Sequence, residues 1–276
     1  MREKTIGFIG LGFVGSATKA SFEKHFNTEV LEIIKEKTTV SSVEELADKC
    51  KVIFVALPTP VASDGSLDMT TINKVFAELN QCNLGNIVVL KSSVPPGTTK
   101  RLSEKFTNVK FVFNPEFLTE SNAVSDFANQ TKVILAGEKE YVDIVKSLYQ
   151  VVFPEIDIYE TNYTTAEMVK FTINCFLATK VSFFNEIYQA CQKLDVDFDE
   201  MRELALTDKR IGVSHSKVPG PPGTRDVGLL GWGLSCFKGN LQILIDTFKK
   251  IGVKPTMLTA TIEKNKEVRP SLFETK

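Results

Sequence analysis

The chain has 276 residues, which fits one large domain or two modest ones. Hydrophobic residues make up 43% and charged residues 24%, a balance that excludes wholesale disorder. The net charge of −1 excludes a strong cationic field, so the sequence predicts neither nucleic acid nor a membrane as a partner.

The N-terminus is not typical of a membrane span or a signal peptide. Its apolar run, residues 5–15, is about half as long as a span requires and is broken by glycines. The cysteines lack a CxxC pair, which is typical of reduced thiols in a cytosolic protein, so we expect a cytoplasmic location. The cysteines are Cys50, Cys82, Cys175, Cys191 and Cys236.

Over the first 160 residues, short β-branched runs alternate with polar stretches of helical period. This alternation predicts an α/β fold with a mostly parallel, doubly wound sheet covered on both faces. The predicted strands are Thr5–Gly10, Glu29–Ile33, Val52–Leu57, Ile87–Lys91, Lys110–Phe113, Lys132–Ala136 and Asp157–Tyr159. The predicted helices are Val14–His25, Ser42–Lys49, Thr70–Asn80, Thr98–Phe106 and Lys139–Gln150.

The segment Thr161–Leu194 contains neither glycine nor proline, which predicts one helix of about 50 Å. Its apolar side chains cover most of its circumference, so we expect burial on several sides. Because little of the chain is left to cover this helix, we expect a second subunit to do so. The sequence therefore predicts a domain at residues 1–160 and an all-helical domain at residues 161–276 that forms a homodimer.

The motif GLGFVG, residues 10–15, follows the first predicted strand and opens the first predicted helix. In this context a GxGxxG motif predicts a dinucleotide site, because the glycines let the backbone approach a pyrophosphate at the helix N-terminus. A tight glycine turn without a ligand is the alternative. The acidic residue for the adenosine ribose should lie near the end of the second strand. Glu32 and Glu36 are both candidates, and the nearby Lys35 and Lys37 leave NADP open beside NAD.

Three further motifs follow successive strands: LPTP at 57–60, SSVPPGT at 92–98 and NPEFLTE at 114–120. In open α/β sheets, ligands bind along the carboxyl edge of the strands. A single serine or threonine before a helix is also an ordinary N-cap. Three such motifs along one edge favour a ligand site.

Two polar pairs have a spacing of four residues. Glu116 and Glu120 share a face if their segment is helical. Two carboxylates near a cofactor can then act as a general base and position water. The alternative is that both belong to a solvated acidic face. Lys170 and Asn174 repeat the spacing in the most apolar stretch of the long helix. A buried ammonium there needs either a paired carboxylate or an anionic ligand.

Cys236 follows a glycine- and proline-rich stretch, Lys217–Gly233, whose length is typical of a functional lid. We expect a glycine-rich turn at Cys236, and therefore a thiol more accessible than Cys175 or Cys191 in the long helix. An accessible thiol is a candidate nucleophile, although most cysteines are packing residues.

Seven segments resemble the UDP-glucose/GDP-mannose dehydrogenases in order and spacing, from Ile6 to about Leu244. The resemblance implies an NAD-dependent enzyme that oxidises the C6 alcohol of a nucleotide sugar, such as UDP-glucose, to the uronate in two hydride transfers. It also implies a Rossmann domain followed by a helical domain that dimerises through its long helix. The segments are GFIGLGFVG, LPTP, KSSVPPGT, NPEFLTES, AEMVKFTINCFLATKVSFFNE, DKRIG and GLSCFKGN.

The resemblance implies a covalent mechanism in which Cys236 forms a thiohemiacetal and then a thioester. In this scheme Lys170 and Asn174 stabilise the alkoxide and oxyanion, and Glu120 with Ser93 positions or activates water. The remaining implied catalytic positions are Glu116, near Lys170, and Asn240. The implied cofactor positions are Gly10, Gly12, Phe13, Val14, Gly15, Glu32, Thr59, Pro60 and Ser92. The implied substrate positions are Phe117, Leu118, Arg210 and Gly233, and no metal ion is implied.

Several positions depart from the family pattern. Asn240 stands where the family has aspartate, Ser93 where it usually has threonine, and Leu234 where it has glycine. The chain also stops where the family's C-terminal nucleotide-binding domain would begin, so we expect a short form. These departures concern the identity of the sugar nucleotide and the hydrolysis of the thioester more than the fold or the cofactor.

Two other functions fit parts of the pattern. A two-electron hydroxyacid dehydrogenase also pairs GxGxxG with Lys-x-x-x-Asn on a helix, but the NPEFL segment and the Cys-Phe turn speak against it. The other possible function is that of a nucleotide-sugar-binding protein that has no catalytic activity. The yield of NADH per sugar, near two, one or none, distinguishes the three.

Overall fold

A seven-stranded sheet with the order β2-β1-β3-β4-β5-β6-β7 organises the N-terminal part of the computed structural model. All neighbouring strands are parallel except β5 and β6. The strand order reverses between β1 and β3, which is where open α/β sheets bind ligands. The doubly wound, mostly parallel sheet is therefore confirmed. The strands are β1 Thr5–Ile9, β2 Asn27–Leu31, β3 Val52–Val55, β4 Ile87–Leu90, β5 Lys110–Phe113, β6 Lys132–Gly137 and β7 Asp157–Thr161.

The structure describes residues 5–61, 67–221, 226–233 and 235–274, without the side chains of Glu120 and Ser235. These residues divide into two units: the described residues up to Lys170, and those from Phe171 onward. Part of the glycine- and proline-rich stretch, residues 222–225, and Leu234 lie outside the described residues.

Both faces of the sheet are covered by helices, as the sequence predicts. On one face Leu46, Phe76 and Leu102 pack against the strands, and on the other Phe22 and Tyr149 do so. The central strands β3 and β4 are buried at every residue, which explains why they read as unbroken apolar runs. The helices of this unit are α1 Phe13–Phe22, α2 Val43–Lys49, α3 Thr70–Cys82, α4 Thr98–Lys105, α5 Ala123–Ala128 and α6 Lys139–Val152.

The helix α7, Tyr163–Leu194, is continuous over 32 residues and matches the long helix predicted at Thr161–Leu194. Its first part belongs to the first unit and the rest to the second. The second unit adds three shorter helices, α8 Phe198–Ala205, α9 Ser235–Lys250 and α10 Thr256–Val268, and the part of it that the structure describes contains no strand. The predicted combination of a doubly wound sheet and a helical region is confirmed.

A buried polar network fixes the chain just before α9. The backbone N–H of Trp232 donates to Oδ1 of Asn265 at 2.8 Å, and Nδ2 of Asn265 donates to the Trp232 carbonyl at 2.9 Å. The indole Nε1 of Trp232 donates to Oγ of Ser182 on α7 at 3.1 Å. Because each buried polar group has a partner, the start of α9 is held firmly against α7 and α10.

None of the helices in the described part of the chain combines the length and the apolar character needed to cross a lipid bilayer.

Candidate active site

The glycine loop between β1 and α1 shows which glycines the fold itself requires. Gly10 has a φ of 87°, and a Cβ there would lie 2.6 Å from the carbonyl oxygen of Ala56. A Cβ at Gly15 would lie 1.9 Å from the carbonyl oxygen of Gly10. Gly12 has an ordinary φ of −64°, and a Cβ there would meet nothing within 4 Å. Packing in the described residues therefore explains Gly10 and Gly15 but not Gly12, where the open space would let a pyrophosphate approach the backbone.

Glu32 reaches this loop from the end of β2. Its carboxylate accepts hydrogen bonds from the backbone N–H of Leu11, within the loop, and from that of Ile33 at 2.7 Å. Glu36 instead lies exposed in a short 3-10 helix, Lys35–Lys37. Of the two acidic candidates, Glu32 is the one that the structure brings into contact with the glycine loop.

The loops after β3 and β4 are bound to each other by the hydroxyls that the sequence singled out. Oγ of Ser92 accepts from the N–H of Leu57 at 2.9 Å and donates to the carbonyl of Leu57 at 2.8 Å. Oγ1 of Thr59 donates to the carbonyl of Ser93 at 3.0 Å. These contacts give Ser92 and Thr59 a role in shaping the carboxyl edge of the sheet.

Glu167 on α7 is a functional candidate that the sequence analysis missed. Its buried carboxylate accepts from the backbone N–H of Gly97 at 2.5 Å and of Thr99 at 2.7 Å, at the N-terminus of α4. Burial raises the pKa of Glu167, which the bonds from the Gly97 and Thr99 amides oppose. The carboxylate thus ties α7 to the SSVPPGT loop. The sequence feature that could have revealed Glu167 is its position three residues before Lys170, on the same face of the predicted helix.

Lys170 is paired with Glu116 in a nearly dry environment. Its Nζ lies 2.9 Å from Oε1 of Glu116 and donates to the Glu116 carbonyl at 2.5 Å. The two side chains are only 5% and 10% exposed. The ring centroid of Phe117 is 5.5 Å from Nζ, and the N–H of Leu118 donates to the Glu116 carboxylate at 2.7 Å. Of the two alternatives for Lys170, the structure provides the paired carboxylate.

The condition under which Glu116 and Glu120 would share a helical face is not met. Residues 114–119 have no regular secondary structure, and a 3-10 helix begins only at Glu120. Pro115 disfavours a helical backbone at the residue before it, which agrees with the absence of a helix in this segment. The side chain of Glu120 lies outside the described residues, as does that of Ser235.

A second buried lysine, Lys91, also escaped the sequence analysis. Its Nζ donates to Oδ1 of Asn114 at 2.8 Å, and the hydroxyl of Tyr149 donates to the same oxygen at 2.5 Å. Burial lowers the pKa of Lys91 to about 7, while the Glu116 carboxylate opposes the shift. The available signal was a lysine that directly continues the apolar run of β4, where an ammonium is costly.

In the second unit, Cys236 lies in the first turn of α9, so the expected glycine-rich turn is wrong. Its accessibility is as predicted: Cys236 is exposed, whereas Cys175 and Cys191 are buried. Burial raises the pKa of the Cys175 thiol to about 12. Asn240 follows Cys236 by one turn of the same helix and is 5% exposed, and Asn174 on α7 is 9% exposed.

The remaining substrate candidates lie in ordered loops of the second unit. Arg210 has a highly exposed side chain that pairs with Asp208 at 2.5 Å. The ammonium of Lys180 holds this loop by donating to the carbonyls of Ile211 and Gly212 at 3.0 and 2.8 Å.

Gly233 lies against the side chain of Arg269, whose guanidinium carbon would be 2.4 Å from a Cβ at position 233. A larger side chain there would displace Arg269 from its ion pair with Asp226.

The doubly wound sheet, the glycine loop and Glu32 together define a Rossmann-type NAD-binding domain. Residues 26–153 match the NAD binding domain of the UDP-glucose/GDP-mannose dehydrogenase family, and residues 164–267 match the central domain of the same family. The chain belongs to the UDP-glucose/GDP-mannose dehydrogenase family.

Individual relatives agree with this assignment. The chain is 31% identical to a UDP-glucose 6-dehydrogenase of Rickettsia bellii, over 92% of this chain and 57% of the relative. It is 34% identical to a UDP-glucose 6-dehydrogenase of Pseudomonas aeruginosa, over 86% of this chain and 53% of the relative. The chain thus spans about half the length of the curated relatives it matches.

Solved structures support the fold. A UDP-glucose dehydrogenase from Pyrobaculum islandicum superposes with a TM-score of 0.84 at 24% identity, covering 96% of this chain and 68% of that one. A GDP-mannose dehydrogenase from Pseudomonas aeruginosa gives a TM-score of 0.67 at 22% identity, covering 97% and 69%.

Gly12→Ala should separate a ligand site from a simple turn. Because the added Cβ meets nothing in the described residues, the variant should keep the wild-type Tm and lose NAD affinity by on the order of tenfold. Gly15→Ala, whose Cβ would meet the Gly10 carbonyl, should lower the Tm. Thermal unfolding and NAD titration measure both effects. An unchanged NAD affinity in Gly12→Ala would favour a turn without a ligand.

Glu32→Gln should weaken NAD binding by about tenfold and reduce the preference for NAD over NADP. The amide still accepts from the Leu11 N–H, but the charge that binds ribose hydroxyls and repels a ribose phosphate is lost. Titration of each variant with both dinucleotides measures the preference. The control is Glu36→Gln, which should behave as the wild type; the reverse result would assign the ribose to Glu36.

Proposed function

We propose that the protein is an NAD-dependent nucleotide-sugar dehydrogenase that oxidises the C6 alcohol of UDP-glucose, or of a related UDP- or GDP-sugar, to the uronate. The observation that carries this proposal is the buried Lys170–Glu116 pair, because it fixes a cation within the segment that matches the family's central domain. We further propose that residues 1–160 bind NAD and that residues 161–276 supply the substrate-binding and covalent chemistry.

Lys170 has the donor geometry for stabilising negative charge on a substrate oxygen. An ammonium has three N–H donors. Within the described residues, the carbonyl and the carboxylate of Glu116 accept two of them, which leaves the third for the substrate. Because the pair is buried, the cation acts in a medium that screens it weakly. Asn174, four residues later in α7, is proposed as a neutral hydrogen-bond donor to the substrate.

Cys236 is proposed as the nucleophile that makes the second oxidation possible. The thiolate adds to the aldehyde carbon, and the resulting thiohemiacetal loses a hydride to become a thioester. Water then releases the uronate and restores the thiol. NAD, when bound, accepts the hydride of each oxidation. In support, Cys236 is exposed in the first turn of α9, so its thiol is accessible.

The water that hydrolyses the thioester needs a base. Asn240 cannot serve, because an amide does not accept a proton near neutral pH. We propose that Glu120 activates this water with help from Ser93, and that hydrolysis is the slow step. Arg210, Phe117, Leu118 and Gly233 are proposed to contact the sugar nucleotide.

The yield of NADH tests the proposed chemistry. With UDP-glucose the wild type should form two NADH per sugar, with a burst before a slower steady state. Cys236→Ser should lose uronate formation and retain NAD affinity, because the glycine loop belongs to the other unit. Absorbance at the NADH band and isothermal titration measure the two properties.

Cys82→Ala, which alters a partly buried thiol on α3, is the matched control and should keep the wild-type yield. One NADH per sugar would favour a two-electron hydroxyacid dehydrogenase. Absence of NADH, with NAD and nucleotide-sugar binding intact, would favour a binding protein without catalysis.

We also propose a homodimer that packs through α7. In support, Phe176 and Phe183 are 62% and 57% exposed and lie seven residues apart, on one face of the helix. Phe176→Asp with Phe183→Asp should therefore convert a dimer into a monomer, as measured by light scattering at micromolar concentration. Val151→Asp, at an exposed apolar position on α6, should remain dimeric. A monomeric wild type would contradict the proposal.

A further inference from the structure

Lys91 is a buried cation for which the proposed chemistry has no role. It follows the last residue of β4 and is only 3% exposed. Its Nζ donates to Oδ1 of Asn114 at 2.8 Å and lies 5.5 Å from the ring centroid of Phe127. Burying an ammonium against a neutral amide is costly, so the position calls for an explanation beyond packing.

The hydrogen bond from Lys91 to Asn114 fixes the start of the loop whose Glu116 pairs with Lys170. The Asn114 side chain also accepts from the Tyr149 hydroxyl at 2.5 Å and donates to the Ile134 carbonyl at 2.9 Å, so the whole amide is held in place. Asn114 begins the loop whose Glu116 pairs with Lys170. Lys91 therefore anchors one end of the segment that positions the proposed catalytic ammonium.

Lys91 is also coupled to this segment by charge. The Glu116 carboxylate raises the pKa of Lys91, the Lys170 ammonium lowers it, and burial lowers it most. The result, about 7, means that Lys91 exchanges its proton near neutral pH. Tyr149, which faces the same amide, stays a neutral phenol because burial raises its pKa.

A cavity of about 230 Å³ gives Lys91 a route to solvent. It is lined by Lys91 and Glu116 and extends to the exposed residues Thr131 and Lys132. This volume has room for several waters, since each takes about 30 Å³ in the liquid. The other charged group of the lining, Asp126 on α5, accepts hydrogen bonds from the N–H and hydroxyl of Thr119.

We propose that Lys91 is a positioning residue of the Glu116–Lys170 site, and that gain or loss of its proton switches the charge of this site. With Lys91 protonated, two ammoniums and one carboxylate give a net charge of +1; with Lys91 neutral, the charge is zero. The structural coupling stands independently, but its effect on rate rests on the proposed dehydrogenase function. The switch sets the field in which negative charge develops on a substrate oxygen.

Two substitutions of Lys91 reproduce the two charge states of the proposed switch. Lys91→Arg keeps a positive charge at every pH, and Lys91→Met removes it at every pH. The wild-type rate of NADH formation, measured from about pH 5.5 to about pH 8.5, should pass between two plateaus. The plateaus should differ by on the order of tenfold, because the net charge of the site differs by one unit between them.

Lys91→Arg should follow the acidic plateau of the wild type and Lys91→Met the alkaline one, each without an inflection near pH 7. Lys132→Met, which removes an exposed lysine from the lining of the same cavity, should keep the wild-type profile. A wild-type inflection that persists in both Lys91 variants would overturn the proposal. NAD affinity and circular dichroism show whether each variant is folded.

A measurement without substrate tests the coupling by itself. The side-chain NMR signal of Lys91, identified by its loss in Lys91→Arg, should titrate near pH 7 in the intact chain. Glu116→Gln should lower the midpoint, because the carboxylate that favours the ammonium is gone. A midpoint unmoved by Glu116→Gln would overturn the proposal even if NADH forms. A shifted midpoint in a protein that forms no NADH would support the charge switch and refute the proposed dehydrogenase.

Discussion

The buried ammonium of Lys170 is the constraint around which the candidate site is arranged. A charge removed from water is tolerated only with a partner and with its hydrogen bonds satisfied. Glu116 supplies both a carboxylate and a carbonyl, and to do so its loop must pass close to Lys170 on α7. One turn earlier, Glu167 binds the N-terminus of α4. Two residues of one helix thereby fix two loops at the carboxyl edge of the sheet.

This arrangement has a consequence for catalysis and for stability. Groups that stabilise developing charge are effective when they are already oriented, because no reorganisation is then needed during the reaction. The contacts that orient Lys170 are the same ones that make its burial tolerable. Removing Glu116 would therefore leave an uncompensated buried charge, and loss of function and loss of stability would coincide. Lys91 adds a second buried cation near this loop, with its hydrogen bond to the neutral amide of Asn114.

The glycine loop illustrates a different kind of constraint. At Gly10 and Gly15 the backbone conformation and the neighbouring carbonyl oxygens exclude a side chain. At Gly12 the chain itself imposes no such limit. Only the three-dimensional surroundings therefore distinguish the glycines of the motif that the fold requires from the one that it does not. Ser92 is a similar case, because its hydroxyl bonds to the backbone of Leu57 and so joins two loops of the fold.

The sequence by itself determined the parallel sheet, the long helix and the family, because periodicity and motif order are local properties of the chain. It missed α5, whose six residues are too few for a periodic pattern, and it placed Cys236 in a turn because neighbouring glycines outweighed the helical signal of the residues that follow. Only the tertiary structure brought Glu32 and not Glu36 to the glycine loop, paired Lys170 with Glu116, and revealed Lys91 and Glu167. These outcomes depend on which distant segments meet, and on the cost of leaving a charge unpaired where they do.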